Sequence, residues 1–385
     1  MSSDEIALSP SSLAETLRAG ERVRVLDVRN RDESDQWPLG GGDVETTHLP
    51  YMKFVQAQAK DEIGDLAAEF DDGERVVVIC GRGESSATVA EALREHGLDA
   101  VNLEDGMRGW ARAYHAEELD ADADGATVIQ YQRPASGCLA YLVVSGDEAA
   151  VIDPLRTFAD RYVEDARDRA AELRYALDTH VHADHVSGVR EVADRSDAVR
   201  VVPEGATDRG LAFDAELVGD SDELTVGDAT LEAMHVPGHT TEMTAYRVGK
   251  VLIDGDLLFS ESVARPDLER GDDGAEEMAR QLHRTLHERV LALPDETVVA
   301  PGHYGDDADP EEDGTYTATL GELRDRLDAL SMEEDAFVDY ALSAMPPRPN
   351  NFEEIIETNL GRGSVDDDEA FELELGPNNC AATAD

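Results

Sequence analysis

Short apolar runs, each followed by a loop and then by a segment of helical period, set the pattern of the first third of the chain. Residues 23–29 (VRVLDVR), 75–79 (RVVVI) and 100–103 are rich in β-branched side chains and read as buried strands of the parallel type. The second run opens directly onto Cys80, a glycine-containing loop and the helical pattern of residues 86–96. Strand, loop and helix in alternation predict a small α/β domain over residues 1–116. Residues 117–126 are acidic, poor in large apolar side chains, and read as a linker.

Beyond residue 126 the pattern changes. Residues 139–144 and 149–152 flank the turn Ser145-Gly146-Asp147 and predict a hairpin. Further short strands recur around Ala176, Val199, Leu231, Ala245, Val251 and Val298, with helix-like segments at 158–173 and 275–292. Two sheets with helices outside them, an αββα sandwich over residues 127–310, is the natural solution. Residues 311–385 form an extension: helical over 314–330, broken at 345–349 (MPPRP) and acidic over 366–375.

A chain of 385 residues with 41% apolar side chains can build two cores. Its charge narrows the partners. Eighty-six Asp and Glu stand against 33 Lys and Arg, for a net charge of -53, and only Lys53, Lys60 and Lys250 are lysines. Such a field repels phosphate backbones and anionic lipid, which argues against nucleic-acid and membrane-surface partners. Acid spread along the whole chain reads as adaptation to concentrated salt, which screens the self-repulsion. No run of about 18 apolar residues is present, and residues 1–10 lack the basic-then-apolar order of a secretory signal. Cys80, Cys138 and Cys380 are too few and scattered for a disulfide framework, which fits a reducing cytoplasm.

The densest chemistry is the string His180-Val181-His182-Ala183-Asp184-His185, just past a strand-like run. Alternate residues leaving a strand point the same way, so His180 and His182 are expected to face one metal, with Asp184 and His185 facing a neighbouring position. Three imidazoles and a carboxylate are costly to bury together without a cation. His239 (VPGHTTE), Asp256 (LIDGDLLF) and His303 (APGHYG) each follow a strand beside a glycine that lets the backbone turn tightly. The set suits two adjacent metals bridged by Asp256, or one metal with spare donors. His283 and His287 read as an exposed helix face, and His235 as a packed or edge residue.

The loop Cys80-Gly81-Arg82-Gly83-Glu84-Ser85-Ser86 opens a helix. Backbone N–H groups and the positive helix end favour a thiolate there and an added anionic sulfur, which makes Cys80 a candidate nucleophile. A buried structural thiol is the alternative.

These motifs carry two resemblances. Residues 127–305 resemble the metallo-β-lactamase fold, in its branch of hydroxyacylglutathione hydrolases and persulfide dioxygenases. That resemblance implies a first metal at His180, His182, His239 and Asp256, and a second at Asp184, His185, His303 and Asp256. In the dioxygenase branch it implies one iron held by His180, His239 and Asp256 alone. Residues 5–116 resemble a rhodanese domain through LDVR (26–29), HLP (48–50), the Cys80 loop and LEDG (103–106) followed by Trp110. In that family the loop cysteine carries a persulfide. Here Ser85 stands where the family has an arginine late in the loop, leaving Arg82 as the substitute cation and favouring sulfur carriage over thiosulfate sulfurtransfer.

An α/β rhodanese-like domain followed by an αββα metallo-β-lactamase sandwich is therefore the expected fold. A cytoplasmic homo-oligomer is expected, and together the resemblances imply an enzyme with Cys80 and Asp184 as catalytic residues. It would oxidise a low-molecular-weight thiol persulfide with O2 to sulfite and thiol at one Fe(2+) per chain. A thioester hydrolase with two Zn(2+) and a non-catalytic sulfur relay are the alternatives. Arg265, in SVARPDL, resembles an arginine of the dioxygenase branch and would bind a substrate carboxylate, an ion pair with Asp267 being the alternative. Segments 345–349 and 375–382 resemble the C-termini of some fused sulfur enzymes.

Overall fold

The computed structural model describes residues 6–40, 42–70, 73–305, 308–343, 345–376 and 381, so Cys380 and most of segment 375–382 lie outside the described residues. The chain divides into two compact units: residues 1–115 with 133–136 and 375–377, and residues 116–132 with 137–374 and 378–385.

The first unit is built on a five-stranded sheet in the spatial order Ala7–Leu8, Ala100–Leu103, Val76–Ile79, Val23–Asp27, Val44–His48, with every pair parallel. Val76 to Ile79 are at most 3% exposed, as a strand covered on both faces demands. Each such aliphatic side chain contributes about 1.5–3 kcal/mol of burial. The strand's C-terminal end delivers Cys80 to the start of the helix Glu84–Glu95.

The second unit stacks two sheets. A seven-stranded sheet runs Glu216–Val218, Val199–Pro203, Glu172–Leu177, Glu148–Ile152, Cys138–Ser145, Thr127–Arg133, His115–Glu118. A six-stranded sheet runs Glu223–Val226, Ala229–His235, Thr244–Val248, Val251–Gly255, Val298–Pro301, Ala318–Thr319. Leu139, Tyr141 and Val143 from the first sheet meet Leu231, Tyr246 and Ile253 from the second in one buried cluster between them. Helices cover the outer faces; Ala279 and Leu282 of the helix Gly271–Thr285 pack with Leu252 and Val299 of the second sheet. This is the αββα arrangement. No helix among the described residues is long and apolar enough to cross a membrane.

Local departures from the sequence pattern have physical causes. The segment 158–173 is helical only over Ala159–Asp168; Ala170 takes a left-handed conformation (φ 59°), and Glu172–Leu177 is a strand. Residues 314–330 contain the short strand Ala318–Thr319 and the helix Leu320–Arg326, which starts at a Thr319/Glu322 capping box. The acidic stretch 366–375 holds the helix Asp367–Leu373, capped in the same way by Asp366 and Glu369. Glu117 and Glu118, read as linker, end the strand His115–Glu118.

Candidate metal centre and thiol loop

The donors of the second unit sit where strands of the two sheets run out. The 180–185 string follows Glu172–Leu177, His239 follows Ala229–His235, Asp256 follows Val251–Gly255 and His303 follows Val298–Pro301. Two glycines permit this convergence. A Cβ at Gly255 (φ +57°) would lie 2.5 Å from Thr179 Oγ1, and one at Gly302 would lie 2.6 Å from Asp256 Oδ1.

His180, His239 and Asp256 form one buried group whose ligand atoms lie within 4.8 Å of one another. Asp256 Oδ2 is 3.8 Å from His180 Nε2 and 3.7 Å from His239 Nε2. Both rings are anchored from behind. Thr179 Oγ1 gives its only proton to Asp153 Oδ2 at 2.8 Å, so it accepts from His180 Nδ1 at 2.9 Å. The Arg265 carbonyl can only accept, so His239 Nδ1 donates to it at 2.9 Å. Each imidazole thereby keeps its Nε2 lone pair for the pocket, the arrangement that orients metal-binding histidines. Burial and the neighbouring His182 hold His180 well below the usual imidazole range, which keeps it neutral. His180 Nε2 and Asp256 Oδ2 are buried without a hydrogen-bond partner. Unmet buried polar groups cost about 1–3 kcal/mol each, more when charged, and a divalent cation satisfies both. The donor set therefore fits a metal ion.

A second buried group comprises Cys138, Asp184, His185 and His303. Its members partner one another only in part, since His185 Nε2 and Asp184 Oδ1 are buried without a hydrogen-bond partner. Asp184 Oδ2 accepts from His303 Nε2 at 2.9 Å, His185 Nδ1 at 3.1 Å and Cys138 Sγ at 3.3 Å. Burial resists charge on His303, but Asp256 and Asp184 raise it well above the ordinary imidazole range. Burial likewise resists charge on Asp256, and His303, 2.5 Å from Oδ1, outweighs it and keeps the carboxyl ionised.

His182 is held from one side by carboxylates. Its Nε2 lies 3.1 Å from Asp153 Oδ1 and 3.7 Å from Asp178 Oδ1, while its ring stands 4.1 Å from those of His180 and His185 and its Nδ1 is buried without a hydrogen-bond partner. Arg265 is engaged differently from the substrate role expected for it. It is buried, donates from Nε to Asp267 Oδ1 at 2.7 Å and from a terminal nitrogen to the Pro347 carbonyl at 3.0 Å. Its link to the centre is its backbone carbonyl, under His239. Sequence reasoning missed Cys138, Asp153 and Asp178. A carboxylate ending the apolar run 149–152 was a signal for Asp153; the isolated Cys138 offered none.

Residues 133–303 match the family described as the metallo-beta-lactamase superfamily, and residues 9–113 match the rhodanese-like domain. The chain joins a rhodanese-like domain to a metallo-β-lactamase domain. It is 26% identical over 248 residues to the mitochondrial persulfide dioxygenase ETHE1 of Mus musculus, covering 63% of this chain and 91% of that protein. It is 32% identical over 171 residues to the hydroxyacylglutathione hydrolase of Parasynechococcus marenigrum, covering 42% of this chain and 64% of that protein. Among solved structures, ETHE1 from Myxococcus xanthus superposes with a TM-score of 0.53 at 25% identity, over 61% of this chain and 98% of that one.

In the rhodanese-like domain, Cys80 Sγ receives the Gly83 N–H at 3.1 Å and the Ser86 N–H at 3.4 Å, and the Ser86 hydroxyl, 3.1 Å from Sγ, has the Gly83 carbonyl at the same distance as a second acceptor for its one proton. Two backbone N–H groups and a hydroxyl around one sulfur form a polar cradle for it. Arg82 and Glu84 are exposed on the same loop, whose side-chain charge is thus balanced. Below the loop, Asp27 and Arg29 of the LDVR segment form a buried ion pair at 2.7 Å that also holds the Trp37 carbonyl.

Proposed function

We propose that this protein oxidises a low-molecular-weight thiol persulfide with O2, releasing sulfite and the free thiol, at one ferrous ion held by His180, His239 and Asp256. The balance is one persulfide, one O2 and one water to one thiol, one sulfite and two protons. The outer sulfur loses four electrons and O2 gains them. The observation that carries this reading is the unmet pair His180 Nε2 and Asp256 Oδ2, with His239 Nε2 beside them. Two imidazoles and one carboxylate are the protein share of a mononuclear iron site that leaves positions for substrate and O2. Ferrous iron supplies there the unpaired electrons that O2 needs to react with a closed-shell sulfur.

The chain's own part is positioning and charge. Thr179 and the Arg265 carbonyl fix the two rings, and His303 keeps Asp256 anionic. Cys80, cradled by Gly83 and Ser86, exchanges sulfane sulfur with the same thiol pool, and Arg82 at the loop surface draws in anionic donors. Similarity to a persulfide dioxygenase over 91% of that protein's length supports the reading. The test is O2 uptake by anaerobically purified, iron-loaded protein on glutathione persulfide. One sulfite per O2 is expected, and no uptake by iron-loaded protein rejects the proposal.

A second reading, a dinuclear thioester hydrolase, draws on the buried group of Asp184, His185, His303 and Cys138. It requires two zinc ions per chain and turnover of S-lactoylglutathione without O2. Elemental analysis of protein made in a salt-rich host separates the two, since one iron and two zinc per chain imply different chemistry.

A further inference from the structure

The chain beyond residue 350 has no chemistry legible in its sequence, yet it packs against the 180–187 segment. The donors of that string alternate with apolar residues, and it is the apolar ones that meet the extension. Val181 clusters with Ile356 and Leu360, Ala183 with Phe352 and Ile356, and Val186 with Ile355 and Ala370. The polar match is more specific. Asn359, buried at the end of the helix Phe352–Asn359, donates from Nδ2 to the carbonyls of His182 (3.0 Å) and His185 (2.8 Å). Its Oδ1 accepts from the Ser187 N–H at 2.9 Å. Glu374, just past the helix Asp367–Leu373, accepts from the Val186 N–H at 3.0 Å.

A buried loop has no neighbouring strand or helical turn to take its backbone polar groups, and those groups must be met by something. Here one amide meets three of them and one carboxylate a fourth, all within residues 182–187. We infer that residues 350–374 brace the metal centre and that Asn359 is a positioning residue, which sets the backbone of the donor string and so how tightly the ion is held. This rests on the reading of His180, His239 and Asp256 as the metal site.

The experiment uses the full chain with Co(2+) alone as the probe, competed by a chelator. Asn359→Ala is expected to weaken Co(2+) binding about 10–100-fold, the usual effect of removing a group that orients metal ligands, and to change the visible spectrum of the bound ion. Arg190→Ala is the control. Arg190 holds the Thr358 carbonyl at 2.9 Å, next to Asn359, so its loss should lower Tm while leaving Co(2+) affinity and spectrum alone. If Asn359→Ala loses stability but binds Co(2+) as the parent does, or if Arg190→Ala weakens binding as much, Asn359 is a packing residue and the proposal is wrong. His239→Ala tests the foundation separately: unchanged Co(2+) binding there means that the ion sits elsewhere, and the brace falls with the site. Should Asn359→Ala fail to fold, the parent protein still decides. Coupling is reciprocal, so Co(2+) loading must slow hydrogen exchange in Phe352–Asn359 and Asp367–Leu373 as well as in 180–187. Slowing confined to 180–187 overturns the inference.

Discussion

His303 Nδ1 lies 2.5 Å from Asp256 Oδ1, and this contact turns the other carboxylate oxygen, Oδ2, toward His180 and His239. On the one-iron reading, the histidine that a two-metal enzyme would use as a ligand serves instead to aim one. His303→Ala is therefore expected to keep a stoichiometry of one metal per chain, at an affinity lowered about 10–100-fold. Metal titration followed by elemental analysis checks this. A variant that goes from two metals to one would instead favour the hydrolase.

On the proposed reading, Cys80 and the metal centre carry separable chemistry. Cys80→Ser is expected to abolish sulfur transfer from glutathione persulfide to cyanide while leaving O2 uptake within about 2-fold of the parent. Ser86→Ala removes one donor to Sγ. A hydrogen bond to a charged group contributes about 1.5–3 kcal/mol, so the transfer rate should fall roughly 10-fold or more. Loss of O2 uptake in Cys80→Ser would make the thiol part of the oxidation itself.

Burial resists charge on Asp267, but Arg265 and Arg348 hold its carboxyl below the ordinary range. A carboxylate depressed in the folded state stabilises fully above its unfolded pKa of about 3.9, and that contribution fades as pH falls through the lower folded value. Asp267→Asn should therefore destabilise the protein at pH 7, by about 3–5 kcal/mol, since the buried Arg265 charge loses its carboxylate. It should also flatten the loss of stability below about pH 4. Urea unfolding across pH at fixed KCl measures both. A parallel pair of curves would remove Asp267 from the acid response.

A net charge of -53 predicts that stability depends on salt. The screening length contracts from about 8 Å at 0.15 M to about 3 Å at 1 M, so Tm should climb steadily as KCl is raised through this range. A melting curve indifferent to KCl would end the salt-adapted reading.

Most of the architecture was legible because its signals are local. The apolar run at 75–79 can only be a covered strand, and Cys80 follows it directly. His180, His239, Asp256 and His303 were each marked by a strand end, three of them with a glycine immediately before. What the sequence hid is long-range. Nothing local says that His182 Nε2 will meet Asp153, because that contact depends on where a strand 29 residues earlier ends. For Arg265 the sequence offered a substrate carboxylate or Asp267; the pair with Asp267 is local, while the Pro347 carbonyl that also takes up the guanidinium lies 82 residues away. Ala170 hid a helix end, since alanine ordinarily continues a helix and here adopts φ 59°.

Gly255 and Gly302 contribute no atom to any ligand, yet each stands where a single methyl group would overlap Thr179 or Asp256. In a saturation scan these two silent positions should score as severely as the histidines, and no replacement should rescue them, because what they supply is vacancy. Tolerance to mutation around this centre is thus governed by space as much as by chemistry, and a map of sensitive sites would overstate the number of residues that ever meet the ion.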